Sequence, residues 1–166
     1  MSDIDLIGAS SFDQARFREV LGHFASGVTV VTTYDLDGPA GFTCQSFMSL
    51  SLDPPLIAIA PSKSSDTWPR LSNAKLGCVN FLCDGHESLA RNFAGKGQDK
   101  FEGVGYRRGS NGAPILDGCL AWLECSVDQV YEAGDHFLVS MLVTDLGTQS
   151  GEPIIFYRGG FGYFHA

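Results

Sequence analysis

Membrane and secretion signals are missing from this sequence. No apolar run among its 166 residues approaches the roughly 20 residues that a membrane-spanning helix needs. The first residues, Met1–Asp5, lack the basic start and the apolar core of a secretory signal peptide. We therefore expect a cytoplasmic protein without a membrane partner.

Cations are also scarce. The chain has 11 Lys and Arg against 19 Asp and Glu, which gives a formal net charge of −8. This balance argues against nucleic acid as a partner, because phosphate backbones are bound by clustered cations. Five of the 11 cations nevertheless lie between Arg91 and Arg108. This local patch suits an anionic small molecule, although a solvated loop would have the same composition.

The signatures of several other catalytic sites are absent as well. The five cysteines include no CxxC pair, and the four histidines do not share the spacing of a metal site. There is no GxSxG nucleophile elbow. The glycine-rich segment Arg158–Gly162 does not lead from a strand into a helix, as a dinucleotide-binding fingerprint does. We expect reduced thiols, no bound metal and no hydrolase triad.

What the sequence does contain is a succession of short strand patterns with few helices. Apolar residues at helical spacing predict a first helix over 12–24, with Ser11 as its cap and Gln14 completing a capping box. A short helix capped by Ser65 or Asp66 ends at Leu71, and another covers 86–93. Residues rich in β-branched and aromatic side chains predict strands over 28–34, 41–50, 56–60, 76–82, 120–131, 137–145, 154–157 and 161–164.

These elements predict a mainly β fold. The expected architecture is an antiparallel, Greek-key-like β-barrel with helices packed outside it. The chain shows no repeats and no linker, so we expect one domain over residues 1–166, with 1–10 as a flexible tail. Residues 94–114 are rich in glycine and charge and predict a long loop. Strand 137–145 is apolar on both faces, which indicates that a second copy of the chain covers one outer face.

An uncharged segment, Gly38–Leu52, is the first candidate for a binding site. Alternation puts Thr43, Gln45 and Ser49 on one strand face with Phe47. Such a strand can lay backbone N–H and C=O groups along the edge of a flat, polar heterocycle. A solvent-facing polar strand is the alternative, but solvated strands usually carry Lys or Glu.

Two further segments complete the candidate site. The hydroxyl-rich run Ser62–Ser65 precedes a helix start and includes Lys63, a combination that can bind an anion. The flexible segment Phe93–Phe101 can close over a ligand and bring Lys96 or Lys100 to a phosphate. Gly134-Asp135-His136 is the histidine context with a neighbouring carboxylate and a glycine hinge, where His136 can hydrogen-bond a carboxamide.

Taken in order, these segments resemble the short-chain flavin reductase family, the reductase components of two-component flavin-dependent monooxygenases. The resemblance runs from about Phe17 to Phe164. It is carried by the following segments: Phe17–Phe24, Ser26–Thr33, Gly41–Phe47 with Ser49 and Ser51, Asp53-Pro54-Pro55, Ser62–Thr67, Val79–Leu82, Leu89 with Phe93, Pro114 with Gly118, and Gly134-Asp135-His136.

The resemblance implies an FMN-binding split β-barrel that works as a homodimer. It implies that NADH, or alternatively NADPH, reduces FMN or FAD, which is released to a separate oxygenase, with aromatic or steroid ring hydroxylation as the pathway. The residues that it assigns to flavin binding are Thr33, Thr43, Cys44, Gln45, Ser46, Phe47, Ser62, Lys63, Ser65, Thr67, Phe93, Ala94 and Lys100. It places the nicotinamide near Asp135, His136 and Tyr163, with His136 as the catalytic residue.

Two other functions stay open at this point. One is an enzyme with a tightly held flavin that oxidises an amine or reduces another acceptor. The other is a non-catalytic flavin-binding or haem-binding protein with the same barrel. Haem is the less favoured ligand, because its propionates prefer Arg or Lys and the segment Gly38–Leu52 has neither.

Overall fold

The computed structural model describes residues 13–97 and 99–164. Within these ranges the chain forms three α-helices and twelve β-strands. The helices are α1 (Gln14–Leu21), α2 (Trp68–Ala74) and α3 (Glu87–Ala94). The strands are β1 (Ser26–Gly27), β2 (Thr29–Asp35), β3 (Gly38–Cys44), β4 (Met48–Leu52), β5 (Pro55–Ile59), β6 (Leu76–Phe81), β7 (Tyr106–Arg108), β8 (Pro114–Leu116), β9 (Ala121–Ala133), β10 (His136–Thr148), β11 (Ile154–Tyr157) and β12 (Gly160–Tyr163).

Seven of the strands form one antiparallel sheet, in the order β3-β2-β6-β9-β10-β5-β4. β3 and β4 are consecutive in sequence, yet they occupy opposite edges of this sheet. Four Cα steps from Cys44 to Met48 span at most about 14 Å, whereas seven strands laid flat would measure about 29 Å across. The sheet must therefore curl until its edges meet. The result is a barrel with a seam at residues 45–47.

Two smaller sheets flank the barrel. β1, β11 and β12 form one, and the hairpin of β7 and β8 forms the other. All strand pairs in the three sheets are antiparallel. The predicted mainly β, antiparallel architecture with flanking helices is confirmed.

The apolar core has two main parts. One is inside the barrel, where α2 contributes Trp68 and Leu71 to a cluster with side chains of β2, β3, β5, β6, β9 and β10. The other packs α3 against β2 through the fully buried Phe93, together with Val30 and Leu116. Because Phe93 anchors the end of α3, the chain that follows this helix begins from a fixed point on the barrel.

The first helix differs from its prediction. It begins at Gln14, where the carboxylate of Asp13 accepts the N–H of Ala15 at 3.0 Å, and it ends at Leu21. Ser11, Phe12, the predicted tail 1–10 and His165 lie outside the described residues. No residue of α1 is buried, and the side chains of Val20 and Leu21 are 62% and 56% exposed.

The prediction of one continuous strand over 41–50 is wrong at residues 45–47. β3 ends at Cys44 and β4 begins at Met48, because the chain passes from one edge of the sheet to the other between them. At this seam the Ser46 hydroxyl accepts the N–H of Ala60 at 2.9 Å and donates to its carbonyl at 3.2 Å. A side chain thus replaces the backbone ladder, and alternation of faces does not continue through the segment.

The predicted loop over 94–114 is also partly wrong. Its second half contains β7, which pairs with β8. A three-residue strand with two arginines is too short and too polar to give a strand pattern. The hairpin of β9 and β10 extends beyond the predicted 120–131 and 137–145, to the turn at Gly134 and Asp135. Of the helices in residues 13–97 and 99–164, none has the length and apolar character to cross a membrane.

Candidate functional site

The seam of the barrel opens into a cleft of about 530 Å³. Its walls are the end of β3, the loop that follows β5, the end of α3 with the residues after it, and the first residue of β10. We call it the seam cleft. It is lined by Phe42, Thr43, Cys44, Gln45, Ser46, Ala60, Pro61, Ser62, Ser64, Ser65, Asp66, Phe93, Ala94, Gly95, Lys96, Lys100 and His136.

The end of β3 forms one wall of the seam cleft. β3 is an edge strand, so alternate backbone N–H and C=O groups face away from β2. The Thr43 side chain is held by α3, because its Oγ1 donates to the carbonyl of Ala90 at 2.6 Å. Burial raises the pKa of the Cys44 thiol, which therefore stays protonated and is a poor nucleophile. The wall offers hydrogen bonds and shape, not a reactive group.

The loop after β5 supplies the hydroxyl groups of Ser62, Ser64 and Ser65, and we call it the hydroxyl loop. The hydroxyls of Ser62 and Ser64 lie 3.0 Å apart, and Ser62 Oγ accepts the N–H of Ser64 at 3.2 Å. Ser65 Oγ accepts the backbone N–H groups of Thr67 at 3.3 Å and Trp68 at 3.2 Å, which joins this loop to the start of α2. These bonds hold the loop in one conformation before any ligand arrives.

Two lysines reach the seam cleft from the segment after α3. Lys100 Nζ donates to the carbonyls of Gly41 at 3.3 Å and Phe93 at 3.1 Å, and so joins β3 to the end of α3. Lys96 Nζ lies 3.4 Å from the carbonyl of Ser64. Burial lowers the pKa of Lys100. An anion in the cleft would restore the charge that this burial disfavours.

His136 stands at the edge of the cleft beside Asp135. Its Nδ1 is 2.7 Å from Asp135 Oδ1, and the hydrogen bond from His136 lowers the pKa of the Asp135 carboxyl. A ring that donates from Nδ1 keeps Nε2 as an acceptor when neutral. The Lys63 N–H donates to the Asp135 carbonyl at 2.9 Å, and Ser62 pairs with His136 as an isolated bridge. The β9–β10 turn is therefore attached to the hydroxyl loop.

Most of the sequence-predicted site residues meet in this cleft. The predicted residues that line it are Thr43, Cys44, Gln45, Ser46, Ser62, Ser65, Phe93, Ala94, Lys100 and His136. The alternation that placed Thr43 and Gln45 on one strand face does not hold, because β3 ends at Cys44. Their nearness to the other groups comes from the crossing of the chain between sheet edges.

The remaining predicted residues lie outside the lining. Lys63 Nζ is 3.1 Å from Glu132 and 5.4 Å from the ring centroid of Phe137. Phe47 packs edge-on against Phe81, with 4.9 Å between centroids. Asp135 reaches the cleft only through His136.

Three further predicted residues are placed by their own contacts. Buried Thr33 donates to the carbonyl of Leu76 at 2.8 Å, and buried Thr67 donates to that of Gly41 at 3.0 Å. Tyr163 is on β12, half exposed, and does not line the cleft.

The lining also includes residues that were not predicted to bind: Phe42, Ala60, Pro61, Asp66 and Gly95. The sequence could have indicated Asp66 as a site residue, because it directly follows the hydroxyl loop. It could not have indicated Ala60 and Pro61, because apolar residues at a strand end do not show which side of a barrel they will face.

The seam cleft fits a planar, phosphate-bearing ligand. Its volume is within the usual range for small-molecule sites, roughly 300–1,000 Å³. Phe42 and Phe93 are apolar, the β3 edge offers backbone hydrogen bonds, and the hydroxyls and lysines form a polar, cationic part. Across residues 13–97 and 99–164, no three His, Cys, Asp or Glu side chains are grouped to hold a metal ion.

Comparison with known proteins gives one consistent result. A family model described as a flavin reductase like domain matches residues 21–165. A flavin reductase of Pseudomonas putida is 44% identical over 159 residues, which cover 95% of this chain and 94% of that protein. The reductase subunit HsaB of a flavin-dependent monooxygenase from Rhodococcus jostii is 40% identical over 156 residues, covering 93% of this chain and 80% of that protein.

A solved structure agrees with these sequence relatives. It is the NADH:FAD oxidoreductase SgcE6 of Streptomyces globisporus C-1027, in complex with NAD and FAD fragments. Its TM-score to this chain is 0.88 at 37% identity, covering 92% of this chain and 93% of that one.

Proposed function

This chain belongs to the flavin reductase family, and on that premise we propose that it oxidises NADH and passes the hydride to FMN or FAD. The main observation that supports this activity is the seam cleft. In it an edge strand, a hydroxyl loop, Lys100 and His136 converge within a chain that matches the family over residues 21–165. We propose the split barrel as one domain, with NADPH as the alternative donor.

The bound flavin supplies an electron-accepting ring; the protein supplies position and electrostatics. We assign the backbone at Thr43 to Ser46 to the edge of the ring, where N–H groups stabilise the negative charge that develops during reduction. Ser62, Ser65 and Lys100 are assigned to the ribityl chain and phosphate. No side-chain nucleophile is required, in agreement with the protonated thiol of Cys44.

His136 is assigned to the nicotinamide. Its bond to Asp135 fixes the ring, and its position in the cleft lining allows it to orient a carboxamide against the flavin. Correct orientation matters because hydride transfer needs the reacting atoms about 3–3.5 Å apart.

We propose that the reduced flavin leaves and serves a separate oxygenase. The HsaB relative is named as the reductase subunit of a flavin-dependent monooxygenase. The contacts of the seam cleft support exchange rather than permanent retention. Ala94 and Lys96, which line it, are exposed to solvent.

The first experiment follows NADH absorbance with purified protein, without flavin and then with FMN or FAD. The expected result is oxidation that saturates with free flavin, with NADH used better than NADPH. Flavin that stays bound through gel filtration would indicate the tight-flavin enzyme instead. No oxidation with either flavin and either nicotinamide would contradict the proposed activity.

The role of His136 has its own test. For His136→Ala, we expect KM for NADH to rise about tenfold, because one hydrogen bond to the nicotinamide is lost. The FMN dissociation constant should change less than twofold. His23→Ala is a matched control, since His23 is exposed and lines neither wall of the cleft. An unchanged KM for NADH in His136→Ala would contradict the assignment.

We also propose a homodimer, and a cytoplasmic location in keeping with five free thiols. The support for a dimer is exposed apolar surface on α1 and just after it. Val20 is 62%, Leu21 56% and Phe24 84% exposed. Light scattering should give twice the chain mass, and Leu21→Lys with Phe24→Lys should give the monomer. A wild-type monomer would contradict the proposal.

A further inference from the structure

Asn92 lies in the last turn of α3, directly before the buried Phe93, and is half-buried itself. It does not line the seam cleft. Its side-chain Nδ2 donates to the backbone carbonyl of Lys100 at 2.6 Å. Asparagine is a poorer helix residue than alanine or leucine, because its side chain competes with the backbone for hydrogen bonds. The bond to Lys100 is made outside the helix and offsets this unfavourable preference.

Lys100 is held at two points by this arrangement. Its backbone carbonyl accepts the Asn92 amide, and its ammonium donates to the carbonyls of Gly41 at 3.3 Å and Phe93 at 3.1 Å. A lysine side chain loses much rotamer freedom when its ammonium is fixed. Because Asn92 fixes the backbone from which that side chain starts, fewer conformations have to be given up when the ammonium binds a ligand.

The chain between α3 and Lys100 has features that favour many conformations. It includes Gly95 and Gly97, and Gly97 has a φ of 70°. Glycine loses more conformational freedom on ordering than any other residue. The two ends of this stretch are fixed by Phe93 and Phe101, whose buried rings meet edge-on with 5.0 Å between centroids. The bond from Asn92 then fixes the backbone at Lys100 itself.

Phosphate recognition depends on where the ammonium is placed. A charge-assisted bond from a lysine to a phosphate oxygen is short, about 2.7–2.9 Å between the heavy atoms. A displaced ammonium would make a longer and weaker contact. A group that is in place before the ligand arrives also costs less entropy on binding. Asn92 can therefore affect phosphate affinity without touching the phosphate.

We propose that Asn92 is a positioning residue for phosphate recognition: by fixing the backbone of Lys100, it places the ammonium where the phosphate of the flavin binds. This inference rests on the proposed function, because it takes Lys100 as a phosphate ligand. It makes the preference for FMN over riboflavin depend on a residue outside the cleft lining.

The test variants are Asn92→Ala and Asn92→Leu. Neither side chain can donate to the Lys100 carbonyl. Alanine is the more favourable helix residue, and leucine keeps the branched shape, so the two variants separate loss of the amide from an effect of size. Asn73→Ala is the matched control, since Asn73 is an exposed asparagine of α2 that does not line the seam cleft. Urea unfolding checks that each variant is folded.

The measurements are dissociation constants for FMN and for riboflavin by flavin fluorescence, with and without Lys100→Ala. Both Asn92 variants should bind FMN about fivefold more weakly, with riboflavin within twofold. Asn73→Ala should leave both constants within twofold. Combined with Lys100→Ala, the Asn92 substitutions should change FMN affinity by less than twofold, because the ammonium through which Asn92 acts is gone.

A purely structural role for Asn92 gives a different pattern. It would weaken FMN and riboflavin binding alike, or would weaken FMN binding by the same factor with and without Lys100. Either result would overturn the proposal, as would an FMN affinity that neither Asn92 variant changes.

These results are distinguishable from failure of the proposed function. A wild-type protein that binds no flavin and oxidises no NADH would refute the activity itself. An FMN affinity unchanged by Lys100→Ala would refute the phosphate assignment, and the role of Asn92 with it. If the wild type is active and Lys100→Ala weakens FMN binding, unchanged FMN binding in the Asn92 variants would refute only the role of Asn92.

Discussion

Polar side chains are covered at one wall of the barrel and accessible at another. On the wall formed by β6 and β9, the hairpin of β7 and β8 covers polar groups and each is bonded inside the protein. On the wall at the seam, polar groups surround an open cleft. The comparison separates polar residues that specify the fold from those that are available to a ligand.

The covered wall is centred on Asn80 and Glu124, both buried. Asn80 donates to the Val30 carbonyl at 3.2 Å and accepts the N–H of Leu116 at 2.8 Å. The Glu124 carboxylate accepts the N–H of Asn111 at 2.7 Å and the hydroxyl of Ser110 at 3.0 Å. These bonds fasten the hairpin to the sheet, because a buried acceptor without a donor is costly.

The seam wall also has internal hydrogen bonds, but its polar groups stay accessible to a ligand. Ser46 bridges to Ala60, and Lys100 bridges to Gly41 and Phe93, but both also line the cleft. A ligand can therefore engage them without unfolding the barrel. Substitutions on the covered wall should change stability, and those on the seam wall should change binding.

Glu124→Ala is expected to have the largest effect on stability. It removes the buried carboxylate that accepts the Asn111 N–H and the Ser110 hydroxyl, which should lower the free energy of unfolding by about 3 kcal/mol. Urea denaturation measures this loss. Glu102→Ala, an exposed residue, is the control and should change stability by less than about 0.5 kcal/mol. If Glu124→Ala lowers the free energy of unfolding no more than Glu102→Ala does, the polar groups of the covered wall do not stabilise the fold as proposed.

Lys100→Ala tests the seam wall. We expect about tenfold weaker FMN binding, since a charge-assisted contact to the phosphate is lost. Riboflavin, which has no phosphate, should bind equally to both proteins. Lys63→Ala is the paired comparison, because Lys63 is held by Glu132 outside the cleft. A larger effect on FMN from Lys63 than from Lys100 would show that Lys63 moves to the phosphate on binding.

Lys100 also predicts a pH dependence. Burial lowers its pKa, so the ammonium loses its proton at a lower pH than an ordinary lysine does. The phosphate is already mostly a dianion above a pH of about 7. FMN affinity should therefore be full below the pKa of Lys100 and fall as pH rises through it. Lys100→Arg stays protonated, and fluorescence titration should show no such fall; an unaltered fall would exclude Lys100 as its origin.

The smallest effect is expected at the half-buried pair of Asp35 and Arg70. The hydrogen bond from Arg70 lowers the pKa of Asp35. The pair should therefore stabilise the fold above the unfolded pKa of Asp35, with the contribution lost as pH falls through the lowered folded value. Asp35→Asn should cost about 1 kcal/mol at neutral pH. It should cost less in acid, as urea denaturation at the two pH values would show.

The sequence predicted the strand-rich fold well, because most strands follow local patterns. The β-branched run at β2 and the apolar run at β5 stand out from their neighbours without tertiary information. The seam was not predictable in this way. Residues 41–50 have the composition of one strand, and the break at residues 45–47 arises from closure of the barrel.

The candidate site shows the same division. Residue chemistry picked out Ser62, Ser65 and Lys100, since hydroxyls and a cation are suited to a phosphate. It did not distinguish Lys100 from Lys63, because both are lysines close to serines or to a flexible segment. Only the partners decide between them: backbone carbonyls hold Lys100 at the cleft, whereas Glu132 holds Lys63 outside it.

Local residue pattern alone determined the class of fold, the polar seam segment and the family resemblance, because strand propensity and short motifs are properties of neighbouring residues. The tertiary structure decided which of those residues share a cleft. It also showed that Glu124 is buried on a strand whose alternation gave no sign of a cover for that face. Both outcomes depend on contacts between segments far apart in the chain, and a local pattern carries no information about which distant segment will cover it.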